Sequence, residues 1–290
     1  MNSDPISQGH RACMVCDAPL VPAHRYPGLL KCDTCGFHTA DVSLSPEKIR
    51  ALYGHDYFHG AEYGDYIEEK NALQINFIHR LAEIRALPGL SASSKLFEIG
   101  CAYGFFMEMA DTVFSDVAGI DIAADAVAYA RDDLGLNAVE GDFLEADLPF
   151  TPDIICMWDV IEHLERPDLV LKKSSEILAP GGYLCITTGD IGSFTARLRG
   201  PNWRMIHPPT HLHYFSVATL GRLLQRSGMD LMSVTHPAVK RTIGSMLYGV
   251  FDLRLGAHKL YSLLSRLPGQ DLTVSLNLHD IMLVIARKPT

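Results

Sequence analysis

Residues 96–106 read LFEIGCAYGFF. An apolar run ends in Glu98, Gly100 and Gly104 follow, and the next stretch is ready to start a helix. A strand that passes through a glycine-bearing turn into a helix presents unpaired N–H groups and the positive end of a helix dipole to a ligand. A dinucleotide loop requires G-x-G-x-x-G, and a phosphate loop requires G-x-x-x-x-G-K-[ST]. Here position 102 is alanine, and no Lys-Ser or Lys-Thr follows. Neither phosphate motif fits. A carboxylate at Glu98 repels a pyrophosphate but suits a cationic or amino-acid-like ligand.

Outward from this loop, short apolar runs alternate with amphipathic stretches. The pattern predicts strands at 95–99, 117–121, 137–140, 153–157, 182–188, 229–235 and 279–286. Helices are expected near 103–113, 123–134, 167–178 and 217–227, the last capped by Ser216. Such alternation predicts an α/β fold with a mostly parallel sheet covered on both faces. Each strand end carries chemistry. GID at 119–121 places Asp121 for two ribose hydroxyls, and EGDF at 140–143 places Asp142 and Phe143 for the amino group and ring of adenine. MWDVIEHL (157–164) and LAPGGYLCI (178–186) follow the same rhythm.

This ordered set resembles the class I S-adenosylmethionine-dependent methyltransferases, over roughly residues 94–236 plus the last strand. The resemblance implies a Rossmann-like seven-stranded sheet whose last strand is antiparallel. It also implies that the glycine loop lies against the methionine part of S-adenosyl-L-methionine, with Glu98, Gly100, Cys101, Ala102 and Gly104 at the matching positions. Asp121, Ile122, Asp142, Phe143, Trp158 and Asp159 complete the expected cofactor site. Ala102, often glycine in that family, costs little if its φ stays negative.

Toward the N-terminus, CMVC (13–16) and CDTC (32–35) give C-x2-C-x15-C-x2-C. The spacing fits a structural, tetrahedral Zn2+ site with Cys13, Cys16, Cys32 and Cys35 as ligands. Two disulfides and a redox pair are the alternatives. A segment of about 45 residues has too small a core to stand alone, so the metal is expected to fold it. The expected organisation is a zinc-ribbon-like module at 1–45, a helical linker or lid at 46–93, and a methyltransferase domain at 94–290 with a helical insertion near 240–275. In the linker, Ser45 and Pro46 suit a helix start, and YGHDYFHGAEYGDY (53–66) suits an irregular loop.

Lys plus Arg number 25 against 34 Asp plus Glu, a formal charge of −9. That balance, and a ribbon without a basic stripe, argue against nucleic acid as partner. The stretch MNSDPISQGHRAC lacks the basic flank and apolar run of a signal peptide, and a cytoplasmic protein is expected.

The methyl acceptor is addressed by two stretches. WDVI after the fourth strand replaces the N-P-P-[YF] of base N-methylation. NWRMIHPPTHLHYFS (202–216) reads as a loop at the substrate edge of the sheet. His163, His207, His211, His213 and Tyr214 are the candidate catalytic groups, since a hydroxyl acceptor needs a base near neutral pH. A local structural role for His163 is an equal alternative. The four-Cys segment together with HLHYFS resembles bacterial sugar and natural-product methyltransferases, which implies a sugar-containing small-molecule acceptor methylated on a hydroxyl or a carbon. The alternatives are a zinc-ribbon RNA methyltransferase and a non-catalytic partner subunit. The amphipathic 240–267 stretch could serve a homodimer or a peripheral membrane contact.

Overall fold

The computed structural model describes residues 12–42, 66–67, 70–270 and 272–290. Ser45, Pro46 and most of the 53–66 loop fall outside them. Strands β1 (Leu20–Pro22), β2 (Leu29–Cys32) and β3 (His38–Ala40) form an antiparallel meander. Helix α1 (Lys70–Arg85) follows. The chain then alternates through β4 (Lys95–Ile99), α2 (Phe105–Ala110), β5 (Asp116–Asp121), α3 (Ala124–Asp132) and β6 (Asn137–Glu140). Next come β7 (Ile154–Trp158), α4 (Pro167–Ile177), β8 (Tyr183–Gly189) and α5 (Phe194–Arg199). Strand β9 (His213–Tyr214), α6 (Val217–Arg226) and β10 (Asp230–Thr235) lead to β11 (Val239–Thr242), α7 (Ile243–Leu247), α8 (His258–Leu264), β12 (Thr273–Leu276) and β13 (Ile281–Arg287).

Seven strands form one sheet in the order β10-β13-β8-β7-β4-β5-β6. Its members run parallel except β13, which is antiparallel to both β8 and β10. This is the Rossmann-like sheet with an antiparallel last strand. Period-two alternation sorts the apolar side chains onto its two faces. Phe97, Ile155, Met157 and Leu184 pack with Leu171, Leu220 and Leu223, whereas Leu96, Ile154, Cys156 and Cys185 pack with Phe77, Phe106 and Val127. Strand order reverses beside β4, so the carboxyl ends of β4 and β7 flank the crevice where ligands bind in open α/β sheets.

The segment expected as a loop at 202–216 contains β9, which pairs antiparallel with β3 of the cysteine segment (His38 opposite Tyr214, Thr39 opposite His213). Ala40 N–H donates to the Leu212 carbonyl at 2.7 Å. The four-stranded sheet therefore has three strands from the cysteine segment and one from the 202–216 segment. Val15, Leu20 and Phe37 share a core with Phe215 and Leu224, and Arg226 bonds Asp17 at 2.8 Å.

The 240–275 segment is also not wholly helical. It opens and closes as a two-stranded ladder of β11 with β12, and the helices lie between. The β-branched Val239, Thr242, Thr273 and Val274 favour extended backbone at its two ends. Asn76 of α1 grips that ladder, giving its amide N–H to the Lys240 carbonyl at 2.9 Å and accepting Lys240 N–H at 2.8 Å. Leu255, Leu263 and Leu267 face solvent. Among the described residues no helix is long and apolar enough to cross a membrane.

Asp280, 2 % exposed, anchors the 200–210 segment to the start of β13. It accepts the Trp203 indole N–H at 2.9 Å and two guanidinium bonds from Arg204 at 3.2 and 3.0 Å. Burial alone raises its carboxyl, but Arg204 and Trp203 outweigh that and hold it below the usual carboxylate range. Removing one partner of such a buried set leaves the others unsatisfied. Asp280→Ala is expected to cost about 3 kcal/mol, read as a lower urea midpoint with an unchanged denaturant slope.

Candidate active site

The glycine loop is built around the carboxylate of Asp121. Its Oδ2 accepts Ala102 N–H at 2.8 Å and its Oδ1 accepts Ala123 N–H at 2.9 Å. That grip explains a departure from expectation, because Ala102 sits at φ 45°, in the left-handed region. The conformation costs an L-residue about 1–2 kcal/mol. A hydrogen bond to a charged acceptor contributes about 1.5–3 kcal/mol, enough to offset it. Gly100 and Gly104 both have φ +75°, and added side chains would collide. A Cβ on Gly100 would lie 2.4 Å from Val160 Cγ2, and one on Gly104 2.7 Å from Leu136 Cδ1. Helix α2 runs only from Phe105 to Ala110, shorter than the 103–113 expected, so the loop's own N–H groups matter more than a long helix dipole.

Glu98 is 3 % exposed, and its Oε2 has no hydrogen-bond partner among the described residues. Burial first, then the Asp121 charge, push its carboxyl well above the usual range, while Arg80 opposes the shift. Cys101 is buried behind the loop, and desolvation raises its thiol well above the ordinary value. Ile122, 39 % exposed, presents an apolar surface beyond Asp121. Asp142 caps its own turn by accepting Leu144 N–H at 2.8 Å. Phe143, expected beside adenine, is 4 % exposed, and its ring packs on Phe97 beneath the Lys173 ammonium. Lys173 also bonds the carbonyls of Phe143, Leu144 and Ala146 and holds that turn against the core.

After β7, Asp159 adopts φ 56°, with its N–H on both the Thr187 carbonyl and hydroxyl at 3.0 Å. Arg80, from α1, reaches Asp159 Oδ2 at 3.1 Å and lies 5.0 Å over the Trp158 ring. Trp158 Nε1 is buried without a hydrogen-bond partner among the described residues. Arg80 was not legible as a site residue, since it lies on a different element 79 positions away.

The candidate catalytic residues divide. His163, His207 and His211 come together, with ring centroids 4.6 Å (His163–His211) and 4.0 Å (His207–His211) apart. Each ring is oriented through Nδ1: His163 on the Thr210 carbonyl at 2.8 Å, His211 on the Met205 carbonyl at 2.9 Å, His207 on the Thr210 hydroxyl at 2.6 Å. Burial pushes His163 down to about 4 and His211 well below the ordinary histidine value, so both are neutral imidazoles at neutral pH. His213 and Tyr214 are turned otherwise. His213 Nδ1 meets the Thr39 hydroxyl at 3.0 Å and its ring packs on Phe37, while the Tyr214 hydroxyl donates to the His211 carbonyl at 2.9 Å. Strand pairing with β3 fixes both orientations, and the two act as supports of the cluster. Reasoning from sequence missed Glu162, although it quoted DVIEHL. Glu162 is 2 % exposed, and burial together with the Asp159 charge raises its carboxyl to about 8. With Thr188, His211 and His213 it lines one narrow buried space.

The four cysteines converge: one sulfur from each lies within 4.8 Å of all the others. Cys13–Cys35 and Cys16–Cys32 Sγ separations of 3.5 and 3.4 Å exceed a disulfide's ~2.05 Å and approach the ~3.8 Å edge of a tetrahedron with ~2.3 Å metal–sulfur bonds. Burial pushes the Cys13 thiol up and Cys35 up to about 11, whereas at Cys32 hydrogen bonds from backbone N–H groups and neighbouring thiols outweigh burial and lower it to about 7.

Comparison with known proteins bears on this geometry. The family model described as a methyltransferase domain matches residues 63–234, more than half of the chain. The chain belongs to this family. It is an S-adenosylmethionine-dependent methyltransferase. A ubiquinone biosynthesis O-methyltransferase of Chromobacterium violaceum is 24% identical over 182 residues, covering 58% of this chain and 75% of that one. Its counterpart from Burkholderia thailandensis is 22% identical over 192 residues, covering 60% and 80%. Among solved structures, one described as a methyltransferase from Bacillus halodurans superposes with a TM-score of 0.51 at 15% identity, covering 72% of this chain and 99% of that one. The YcgJ protein of Bacillus subtilis gives 0.50 at 14%, covering 73% and 99%. At these identities the structures speak for the fold alone.

The site fits the cofactor. It has a cradle that a Cβ would fill at Gly100 and Gly104, a buried acid with an unpartnered oxygen at Glu98, and the Arg80 guanidinium. Asp121→Ala frees the N–H groups of Ala102 and Ala123 together. It is expected to weaken S-adenosylhomocysteine binding by about 10-fold or more, the loss of one charge-assisted bond, measured by isothermal titration calorimetry.

Proposed function

We propose that this enzyme methylates a hydroxyl of a sugar-containing small molecule, at the Glu162–His163–His207–His211 cluster beside the cofactor crevice. The observation that carries the reading is that cluster: His163 and His207 each packed on His211, all three oriented through Nδ1, at the carboxyl edge of the sheet. When bound, S-adenosyl-L-methionine supplies a sulfonium methyl; transfer forms the O–CH3 bond, breaks S–CH3 with its electron pair going to sulfur, and releases the hydroxyl proton. Asp121 and the Gly100–Gly104 loop would hold the cofactor, with Ile122 on its ribose-adenine side. Arg80, which steadies Asp159, would meet its carboxylate. His207, whose ring packs on His211, receives the released proton. Rate enhancement comes chiefly from alignment in a crevice that excludes water. The named activity of the ubiquinone-pathway relatives, O-methylation, supports oxygen over carbon as the acceptor atom.

In this reading the four cysteines hold a structural Zn2+, and the ribbon's β3 presents β9, with His211 just ahead of it, to the acceptor. Loss of the ion acts on the acceptor side first. Cys32→Ser is expected to lose that zinc by elemental analysis and to lower Tm.

The test of the acceptor reading is transfer of a labelled methyl to a panel of sugar nucleotides and glycosides, with product NMR locating the O–CH3 group. His207→Ala is expected to lower kcat by about 10²–10⁴, with S-adenosylhomocysteine affinity unchanged. Equal losses in both quantities would place His207 in the cofactor site instead.

A further inference from the structure

We propose that Glu162, His163 and His211 form a second metal site, separate from the four cysteines, that takes a divalent first-row transition-metal ion. The three residues offer one ligand atom each, all within 4.8 Å of one another. Two imidazoles and one carboxylate are the donor set that suits such ions.

The geometry goes beyond proximity. Glu162 is 2 % exposed; the Thr188 hydroxyl is beside it, but neither carboxylate oxygen has a hydrogen-bond partner of good geometry among the described residues. A buried carboxylate in that state is costly unless it is neutralised or coordinates a cation. Nδ1 of His163 gives its proton to the Thr210 carbonyl, and Nδ1 of His211 gives its proton to the Met205 carbonyl. Each bond fixes the tautomer in which Nε2 carries the lone pair, as outer-shell carbonyls do for metal-bound histidines. The two ligand-bearing segments are also tied together, since the Glu162 carbonyl accepts Leu212 N–H at 2.8 Å and His213 N–H at 3.0 Å. Asp159 is committed elsewhere, to Arg80. His207 stacks against His211 outside the three-ligand set.

The inference deepens the proposed function and rests on it for its chemical role. An ion held there would supply Lewis acidity, lowering the pKa of an acceptor hydroxyl directed toward it. The hydroxyl proton would pass to His207, and the oxygen lone pair would form the bond to the methyl carbon as the S–CH3 pair goes to sulfur.

The test uses the full chain, stripped of metal and titrated with Co2+. Thiolate sulfur gives Co2+ an intense charge-transfer band, whereas imidazole and carboxylate ligands give only weak visible absorption, so the two sites are separable in one spectrum. Two equivalents are expected in the wild type. Glu162→Gln and His211→Ala are each expected to keep the thiolate band and to weaken the other equivalent more than about 100-fold, beyond the cost of losing an outer-shell partner. Cys32→Ser is expected to do the reverse. A single equivalent in the wild type, or a second one that persists in both Glu162→Gln and His211→Ala, would overturn the proposal. S-adenosylhomocysteine binding reports whether each variant is folded; if both unfold, the wild-type stoichiometry decides. Two equivalents without methylation of any hydroxyl acceptor would sink the acceptor reading and leave the metal site intact.

Discussion

The pairing of β3 with β9 is the constraint on which the acceptor side depends. Three contacts, Ala40 N–H to the Leu212 carbonyl, Thr39 Oγ1 to that same carbonyl, and Thr39 Oγ1 to His213 Nδ1, bind a cysteine-rich segment to the methyltransferase domain. The cysteine segment brings too few apolar side chains to form a core by itself. It borrows one by packing Val15, Leu20 and Phe37 against Phe215 and α6. In return it stiffens the 210–214 segment, and through Tyr214 and the Glu162 carbonyl that stiffness reaches the imidazole cluster.

The cofactor side is organised by a different device. There a single carboxylate, Asp121, links β5 to the loop that follows β4 and holds Ala102 at a positive φ. Asp159, after β7, also has a positive φ and is held by Thr187 and Arg80. Sparsely populated backbone states persist only where their surroundings over-determine them, and they cluster at functional sites. Both lie at the carboxyl edge of the sheet, one on each side of the crevice. Charge is arranged in the same economical way. Arg80 tempers the buried acids Glu98 and Glu162 from α1, although neither bonds it directly.

Much of the fold was legible because its signals are local. The central strands are runs of apolar residues bounded by turns, and the expected boundaries of all seven lie within a residue or two of those observed. Gly100, Asp121 and the four cysteines announce themselves by spacing. What escaped was non-local. Strand β9 has two residues, and its partner lies 174 positions away. No periodicity can reveal such a pair, so His213 and Tyr214 looked equal to His211 until pairing with β3 turned them. Phe143 follows an acid at a strand end, but only the fold shows Lys173 holding its turn against the core. Glu162 stood in plain view inside DVIEHL, but only the fold shows that it is buried among imidazoles.

The most direct measurement is a crystal structure with S-adenosylhomocysteine bound. The account predicts its sulfur above the Gly100–Gly104 loop, with the side that carries the methyl in the cofactor facing His163, His207 and His211 across an acceptor-sized gap. A sulfur facing away from those three imidazoles, with the cluster sealed off behind Trp203 and Met205, would contradict it.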